Sequence, residues 1–334
     1  MRLFSIIVPV YNRPHEIDEL LESLTHQRYK NFEVIVVEDG SSISSQEWVE
    51  KYKDKMKIQY FYISNVRQGF ARNYGFSKAN GDYFIVFDSD CIIPENYLEE
   101  VHKNLTTHKW DAFGGPDAAH PKFNPTQKAI SYSMTSPFTT GGIRGNKKQM
   151  DTYYPRSFNL GISREVWEKT GGFKWTSGSE DIEFSRRIYS LGFKVGLIPE
   201  ALVYHKRRST FGLFYKQLNG FGGGRIKLYR HFPDQLKLVH FFPAIFTLGI
   251  LFTVLCGIFS FLMPESTFQN IVYRLFSISG FAYLLWSILI MVHSSILNKS
   301  LYVGILSLIA AYVQLVGYGV GFLNTAFSSK YKTT

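Results

Sequence analysis

Apolar residues in the first 110 positions form short runs that alternate with stretches of helical spacing. The runs are rich in β-branched and aromatic residues and predict four buried strands, Leu3–Val10, Phe32–Val37, Ile58–Ile63 and Tyr83–Phe87. Between the strands the spacing predicts helices over Pro14–Gln27, Gln46–Tyr52 and Gly69–Asn80, and Pro94 begins another at a first-turn position. Strands that alternate with helices indicate an α/β protein with a mostly parallel sheet.

Apolar periodicity is lost between residues 115 and 157, where Pro, Gly, Ser and Thr are frequent. This composition predicts a long loop over one end of the sheet. Regular structure is predicted again over Phe158–Ser163, Arg164–Lys169 (helix), Ser179–Leu191 (helix) and Phe193–Ile198 (strand). The stretch Thr210–Arg230 is aromatic and basic, and Gly222–Gly224 interrupt it, which favours an amphipathic interfacial segment.

Three stretches of the C-terminal third contain no Asp, Glu, Lys or Arg: 241–264, 275–298 and 300–329. Each can cross a hydrocarbon core of roughly 30 Å at about 1.5 Å per helical residue. A purely soluble protein is excluded, and about three transmembrane helices are predicted over residues 241–328. Three full spans would place Lys330 and Lys332 outside, against the positive-inside tendency, so Leu301–Phe327 could instead be re-entrant or interfacial.

The net charge of +10 is unevenly distributed. Residues 1–200 carry 25 basic and 25 acidic residues, whereas 201–240 carry eight basic residues and one acid. Because a nucleic-acid-binding protein would carry the basic face on its globular half, no nucleic acid is expected as a partner. The basic segment, 206–240, instead fits a juxtamembrane region that faces anionic membrane lipids on the cytoplasmic side.

The N-terminal apolar run is short and does not resemble a signal peptide, so the globular half is expected in the cytoplasm, at the inner membrane. The two cysteines, Cys91 and Cys256, have neither metal-ligand spacing nor a partner pattern for a disulfide framework. The first strand is followed by Tyr11-Asn12 without G-x-G-x-x-G, and there is no Walker A sequence, which argues against a dinucleotide-binding oxidoreductase.

Polar residues follow three of the predicted strands: Tyr11-Asn12, Glu38-Asp39 and Asp88-Ser89-Asp90. In an open parallel sheet these strand ends converge on one crevice, where ligands bind. The Asp88 and Asp90 carboxylates could hold a divalent cation that neutralises a diphosphate. An acidic turn without a ligand would show the same pattern.

Other candidate residues each have a functional and a structural interpretation. Glu180-Asp181 could supply a general base, or could complement the dipole at the start of a helix. Arg72 could bind phosphate oxygens, or could be a solvated helix charge. His205, which three cations follow, could ligate a metal, hydrogen-bond a phosphate, or be structural.

In combination and in this order, the motifs resemble those of family 2 glycosyltransferases, which have the GT-A fold. The resemblance covers about residues 3–230 and extends to C-terminal membrane helices, which many bacterial members carry. It rests on Val8-Pro9-Val10-Tyr11-Asn12, Val37-Glu38-Asp39-Gly40-Ser41, Gly69-Phe70-Ala71-Arg72-Asn73-Tyr74-Gly75, Phe87-Asp88-Ser89-Asp90, Gly171-Gly172-Phe173, Glu180-Asp181 and Tyr204-His205-Lys206-Arg207-Arg208.

The resemblance implies a role for each matching residue. Donor binding would fall to Pro9, Tyr11, Asp39, Arg72 and Asp88, with Asp39 accepting a hydrogen bond from the nucleotide base. Asp90 would be the direct ligand of Mg²⁺ or Mn²⁺, and Asp88 and His205 would complete the metal site. Asp181 would be the catalytic base of an inverting displacement, and Glu180 would orient the acceptor or cap the helix. The catalytic domain would cover residues 1–205.

Two departures from the family pattern narrow the implied function. Position 38 is Glu where Asp is usual, and the Q-x-x-R-W motif of processive synthases is absent, which favours addition of single sugars. The resemblance thus implies a membrane-anchored, metal-dependent, inverting hexosyltransferase. It would move sugar from a nucleotide-sugar, a UDP-sugar above all, to a hydroxyl of a lipid-linked or membrane-proximal glycan in cell-envelope polysaccharide synthesis. The alternatives are a polyprenyl-phosphate glycosyltransferase and an inactive sugar-nucleotide-binding scaffold in the membrane.

Overall fold

The buried apolar runs of the first half pair into one seven-stranded sheet in the computed structural model, which describes residues 1–118, 120, 122–140, 153–176 and 178–328. Two compact units share the chain. The sheet unit comprises Met1–His120 and Gly145–Lys206, and the helical unit comprises Pro121–Arg144 and Arg207–Thr334. The predicted boundary at residue 205 therefore lies beside a unit boundary, but Pro121–Arg144 belong to the helical unit.

Strands and helices alternate along the sheet unit. Its strands are β1 (Phe4–Val10), β2 (Phe32–Asp39), β3 (Ile58–Ile63), β4 (Tyr83–Phe87), β5 (Cys91–Ile92), β6 (Ala112–Gly114), β7 (Asp117–Ala118), β8 (Asn159–Ser163), β9 (Val195–Leu197) and β10 (Val203–His205). Its helices are α1 (Pro14–Thr25), α2 (Gln46–Glu50), α3 (Gln68–Lys78), α4 (Tyr97–His108), α7 (Arg164–Thr170) and α8 (Glu180–Ser190).

The main sheet has the order β3-β2-β1-β4-β8-β6-β9. The pairs β3–β2, β2–β1 and β1–β4 are parallel, while β8 runs antiparallel between β4 and β6. A second sheet, β5-β10-β7, pairs β10 antiparallel to β5. The prediction of an α/β protein with a mostly parallel sheet is confirmed.

Both faces of the main sheet are buried, which explains why its central strands are continuous apolar runs instead of alternating ones. On one face α1 buries Ile17, Leu20 and Leu24 against the core. On the other face the core includes Phe76 and Phe184. Because both faces of β1 and β2 are covered, the strand ends are left as the place where polar groups can gather.

The helical unit consists of helices in the part that the structure describes. They are α5 (Pro125–Thr135), α6 (Pro137–Thr140), α9 (Phe211–His231), α10 (Phe242–Leu262), α11 (Thr267–Asn298) and α12 (Leu301–Phe327), with short 3-10 turns before α10. Among the described residues, three segments are long and apolar enough to cross a membrane: Leu238–Leu262, Thr267–Asn298 and Leu301–Phe327.

A loop was predicted over residues 115–157, but two segments within it, α5 and α6, are helical, so the prediction is wrong there. Positions 141–152 of the predicted loop lie outside the described residues. Asn124 caps α5 by accepting from the Gln127 backbone N–H at 2.9 Å, while the Gln127 side chain accepts in return from the Asn124 N–H. The apolar side of α5 is buried by α12. Tertiary burial thus makes a helix from a segment whose composition favours a loop.

The three glycines at 222–224 do not interrupt α9, which is continuous from Phe211 to His231. A Cβ built on Gly222 would lie 2.1 Å from the carbonyl oxygen of Tyr318, so the missing side chain lets the backbones of α9 and α12 approach closely. The prediction of an interruption is therefore wrong: the glycine run is a helix-packing feature.

The close approach at Gly222 can be tested with a pair of glycine-to-alanine variants in α9. Gly222→Ala should lower the unfolding temperature of the detergent-purified chain, because overpacking a tight contact costs about 1–3 kcal/mol. The control is Gly220→Ala, because a Cβ on Gly220 meets nothing within 4 Å. This control should be neutral or stabilising by about 0.5–1 kcal/mol through helix propensity. Equal unfolding temperatures for the two variants would contradict the packing role.

Candidate active site

The loops that follow β1 and β2 are locked together at the carboxyl edge of the sheet. The Asn12 Oδ1 atom accepts from the backbone N–H groups of Ser42 and Ile43 at 2.8 and 3.1 Å, and the Asn12 N–H donates to Ser41 Oγ at 2.7 Å. Asn12 has φ 53°, a conformation that Asn tolerates better than most residues. This interlock fixes the edge at which Pro9 and Tyr11 lie.

Pro9 and Tyr11, the predicted base-binding residues, lie at the end of β1. Pro9 pairs in register with Val37 of β2. The Tyr11 side chain lies just beyond the strand and is 53% exposed. An exposed aromatic ring at the carboxyl edge of a parallel sheet is available to stack on a planar ligand group.

The adjacent acids Glu38 and Asp39 serve different local functions. Glu38 is fully buried and accepts from the Ser45 backbone N–H at 2.7 Å and from the Ser41 hydroxyl, so it organises the loop after β2. Asp39 Oδ1 accepts from the Val66 backbone N–H at 2.7 Å. Burial raises the pKa of Asp39, and hydrogen bonds from the Val66 and Arg67 backbones oppose that rise. Glu38, which stands where Asp is usual in the family, therefore has a structural function: its carboxylate holds the loop after β2.

Arg72 of α3 is 1% exposed and is bound to two carboxylates. Its Nη2 lies 2.8 Å from Asp88 Oδ1 after β4, and its Nη1 lies 3.0 Å from Glu180 Oε1 at the start of α8. Burial would lower the pKa of Arg72, but the two carboxylates raise it. The solvated-charge interpretation is excluded by this burial, and the guanidinium connects the donor side of the predicted site to α8.

Glu180 and Asp181 have different partners at the start of α8. Glu180 is buried and accepts from Gln68 Nε2 at 2.7 Å as well as from Arg72. Burial and the neighbouring Asp181 carboxylate raise the pKa of Glu180, and Arg72 opposes the rise. The Asp181 side chain is 14% exposed, and its Oδ2 lies 3.5 Å from Arg156 Nη1. Glu180 is thus committed to α3, while Asp181 is held more loosely.

The segment that leads into α8 is held by α3. Asn73 makes two hydrogen bonds of 2.8 Å to the backbone of Phe173, and the Gly69 N–H donates to the Thr176 carbonyl at 2.9 Å. A Cβ on Gly69 would lie 2.2 Å from the Trp175 carbonyl oxygen. Gly69, Arg72 and Asn73 therefore act together to place α8.

The predicted metal ligands Asp90 and His205 are brought together by the second sheet. His205 of β10 pairs with Cys91 of β5, and its Nε2 lies 3.1 Å from Asp90 Oδ1. Arg13 also forms an ion pair with Asp90. Asp88, the third predicted ligand, uses one oxygen to bind Arg72. The structure thus places two of the three predicted ligands in direct contact.

A divalent cation fits this set of donor atoms. Asp90, Cys91 and His205 offer ligand atoms that lie within 4.8 Å of one another. Burial, together with the Asp90 and Asp88 charges, raises the pKa of Cys91 well above its ordinary value, so the thiol stays protonated and ligates poorly. The imidazole and carboxylates remain, a combination suited to Mn²⁺ or Mg²⁺ with phosphate oxygens.

Four residues near the predicted site were given no role in it from the sequence: Arg13, Gln68, Asn73 and Cys91. Asn73 stands inside a motif that the sequence analysis singled out, and Arg13 directly follows another, Val8–Asn12; these positions were the available signal. Gln68 reaches Glu180 only because α3 and α8 pack side by side. Cys91 was set aside on spacing, and the β5–β10 pairing that brings it near His205 is a tertiary feature.

Comparisons with known proteins agree with this architecture. The family model described as Glycosyl transferase family 2 matches residues 5–171, half of the chain. The chain belongs to this family. The family-level prediction is confirmed, and the sheet unit is a GT-A-like domain. A solved structure, the mannosyltransferase PcManGT from Pyrobaculum calidifontis in complex with GDP-Man and Mn²⁺, superposes with a TM-score of 0.57 at 15% identity, covering 98% of this chain and 88% of that one.

Two curated relatives show how far the sequence similarity extends. Glycosyltransferase GlyA of Streptococcus pneumoniae is 34% identical over 200 residues, which are 59% of this chain and 26% of the relative. The probable glycosyltransferase YdaM of Bacillus subtilis is 25% identical over 295 residues, 84% of this chain and 70% of the relative. The chain thus spans about a quarter of the length of the pneumococcal relative.

The buried Arg72 should be essential for stability. Arg72→Met leaves Asp88 and Glu180 without their shared cation, and breaking a buried ion pair costs about 3–5 kcal/mol. The unfolding temperature of the detergent-purified chain should therefore fall by many degrees. Lys78→Met, which removes an exposed cation from the same helix, is the matched control and should have little effect. A similar small change in both variants would show that the Arg72 ion pairs contribute little.

Proposed function

We propose that this family 2 member transfers a sugar from a nucleotide-sugar, with UDP-sugars as the first candidates, to a hydroxyl of a lipid-linked or membrane-proximal glycan. The observation that carries the proposal is the convergence of Asp90, His205, Asp88 and the Glu180-Asp181 pair at one edge of the sheet unit. Cell-envelope polysaccharide assembly is the proposed context. The helical unit, with its three candidate membrane spans, would hold the enzyme at the inner membrane with the catalytic part in the cytoplasm.

Donor binding is assigned to the residues at the ends of β1, β2 and β4. Tyr11 would stack on the base, Pro9 would line the ribose, and Asp39 would accept from the base. Asp88 would face the ribose or the metal, and Arg72 would fix the position of Asp88. Arg72 is thus given an indirect role, because its guanidinium already binds two carboxylates.

Asp90 and His205 would hold Mg²⁺ or Mn²⁺, with Asp88 nearby. The cation would supply positive charge to the departing nucleoside diphosphate. Arg13, which binds Asp90 in the structure, would leave that carboxylate and could donate to a diphosphate oxygen instead.

The transfer itself would be one in-line displacement with inversion. The acceptor oxygen forms a bond to the anomeric carbon as the bond from that carbon to the diphosphate oxygen breaks, and the acceptor proton passes to Asp181. Asp181 suits this role better than Glu180, since Glu180 is bound to Arg72 and Gln68. Glu180 would then orient the site by anchoring α8.

Metal dependence is tested with Asp90→Asn. This change keeps the side-chain shape but removes the charge that binds the cation, so turnover should fall by orders of magnitude while the fold survives. Release of nucleotide from labelled donor is measured with Mn²⁺, with Mg²⁺ and with excess chelator. Asp54→Asn, at an exposed acid, is the control and should keep full activity. Full wild-type activity in excess chelator would overturn the metal assignment.

The base assignment is tested with Asp181→Asn. Removing a general base typically costs about a hundredfold to ten-thousandfold in rate, so transfer should collapse while nucleotide-sugar affinity persists. Glu180→Gln should be milder in transfer rate and should instead lower the unfolding temperature, because it weakens the bond to Arg72. Affinity, transfer rate and unfolding temperature are measured for both variants.

Transfer at a near wild-type rate by Asp181→Asn would reject Asp181 as the base and would favour the polyprenyl-phosphate acceptor, because a phosphate needs no strong base. A panel of labelled UDP- and GDP-sugars, tested with membranes, separates an enzyme from a binding scaffold. A scaffold would bind a donor but would neither transfer nor hydrolyse it.

A further inference from the structure

Helix α12 is packed against two helices that are not candidate membrane spans. Its first half, with Val303 and Ala310, packs against Ala129 and Ile130 of the short helix α5. Its second half packs against α9: a Cβ on Gly321 would lie 2.1 Å from the Asn219 carbonyl oxygen. The first half of α12 is thus covered by α5 and its second half by α9, and neither of these helices is a candidate membrane span.

Helices α10 and α11 form an antiparallel hairpin. Near one end the Phe246 ring packs against Trp286, with ring centroids 5.0 Å apart. Further along, a Cβ on Gly257 would lie 3.0 Å from the Phe276 ring. The start of α10 and the end of α11 therefore lie at the same end of this hairpin.

Helix α12 crosses that end of the hairpin and does not run along it. Gly304 and Gly319 are fifteen residues apart, about 22 Å along a helix. A Cβ on Gly304 would lie 2.7 Å from the carbonyl oxygen of Met291, and a Cβ on Gly319 would lie 2.4 Å from that of Pro243. A third parallel span would instead carry Gly319 to the level of Phe276, far from Pro243.

The basic residues of α9 limit how deep in the membrane its neighbour α12 can lie. Lys216 and Lys227 are exposed on α9, and Arg230 at its end donates to the Thr325 carbonyl of α12 at 2.8 Å. Each Lys or Arg placed at the centre of a membrane costs about 2.5–3.5 kcal/mol or more. Because α12 lies directly against α9, placing its second half at the centre of the membrane would bring these charges into the hydrocarbon as well.

Helix lengths and exposed surfaces agree with this depth. The 21 residues of α10 span about 31 Å, which matches a hydrocarbon core, whereas the 32 residues of α11 span about 48 Å and must project beyond it. The projecting end carries His293 and Ser294, and Ser294 bonds to Ser307 of α12 at 2.7 Å. The exposed large apolar residues of the first half of α12 are Leu301, Tyr302, Ile305 and Ile309, mostly one stripe at four-residue spacing.

We propose that α12 does not cross the membrane but lies with α9 in its cytoplasmic interfacial layer, so that the described chain spans the bilayer only twice, through α10 and α11. The partner of the α9–α12 surface is the lipid leaflet: the apolar stripe of α12 enters the acyl boundary and the basic residues of α9 face anionic headgroups. In this arrangement the end of α12 stays on the cytoplasmic side, and the two lysines that follow it in the sequence then agree with the positive-inside tendency. It does not depend on the proposed transferase activity.

The test is the side of the membrane on which three single cysteines lie. Glu265→Cys marks the α10–α11 turn, Lys299→Cys the α11–α12 turn, and Ser328→Cys the end of α12. Each full-length variant is labelled with a membrane-impermeant maleimide in spheroplasts, before and after permeabilisation. The parent chain is the blank, because Cys91 and Cys256 are buried.

The expected result is that Glu265→Cys reacts in intact spheroplasts, while Lys299→Cys and Ser328→Cys react only after permeabilisation. The decisive comparison is between positions 299 and 328. Labelling on the same side supports the proposal, and labelling on opposite sides shows that α12 is a span and overturns it.

A depth measurement separates an interfacial helix from a re-entrant one. Ile309→Cys on α12 and Leu255→Cys on α10 are comparably exposed, at 42% and 41%, and can be spin-labelled in vesicles that contain anionic lipid. The label at 309 should be far more accessible to a water-soluble relaxation agent than the label at 255. Equal burial of the two labels in the hydrocarbon would reject the interfacial placement.

Discussion

The candidate active site of this family 2 member depends on the buried guanidinium of Arg72. It joins Asp88, at the end of β4, to Glu180, at the start of α8, by contacts of 2.8 and 3.0 Å. Without the guanidinium, the buried Glu180 carboxylate would lose its cationic partner, which is strongly unfavourable, and the partly exposed Asp88 would lose its ion pair. With it, the strand that carries the acidic motif and the helix that carries Asp181 hold a fixed distance, and the Asn73 bonds to Phe173 secure the same helix from a second point.

The candidate metal site is formed differently, by the pairing of two very short strands, β5 and β10. β10 lies antiparallel to β5, and this register puts His205 beside Asp90 although 115 positions separate them in the chain. Arg13 approaches the same carboxylate from the loop after β1. This ion pair supplies a charge partner to the Asp90 carboxylate, which a buried carboxylate needs. In the proposed function a divalent cation would take over that role.

In the helical unit, glycines decide the packing. Gly222, Gly304, Gly319 and Gly321 each lie where a Cβ would collide with a neighbouring backbone carbonyl. These close approaches let α12 contact α9, α10 and α11 within one small volume, and thus set it across the end of the α10–α11 hairpin. Apolar composition alone makes α12 look like a third span, whereas its neighbours include a helix that carries Lys and Arg.

The sequence by itself determined the α/β order, the polar strand ends, the acidic motifs and the apolar C-terminal helices, because buried runs, helical spacing and uncharged stretches are local properties. It did not determine that residues 125–140 are helical, since α5 is stabilised by burial against α12, nor that α9 passes unbroken through Gly222–Gly224. It singled out Arg72, Asp88, Asp90, Glu180, Asp181 and His205, but not which of them bind one another. Only the tertiary structure decided those pairs, because they join elements that are far apart in the chain. The energetic contribution of each charge also depends on which groups are buried beside it, and the sequence does not show this.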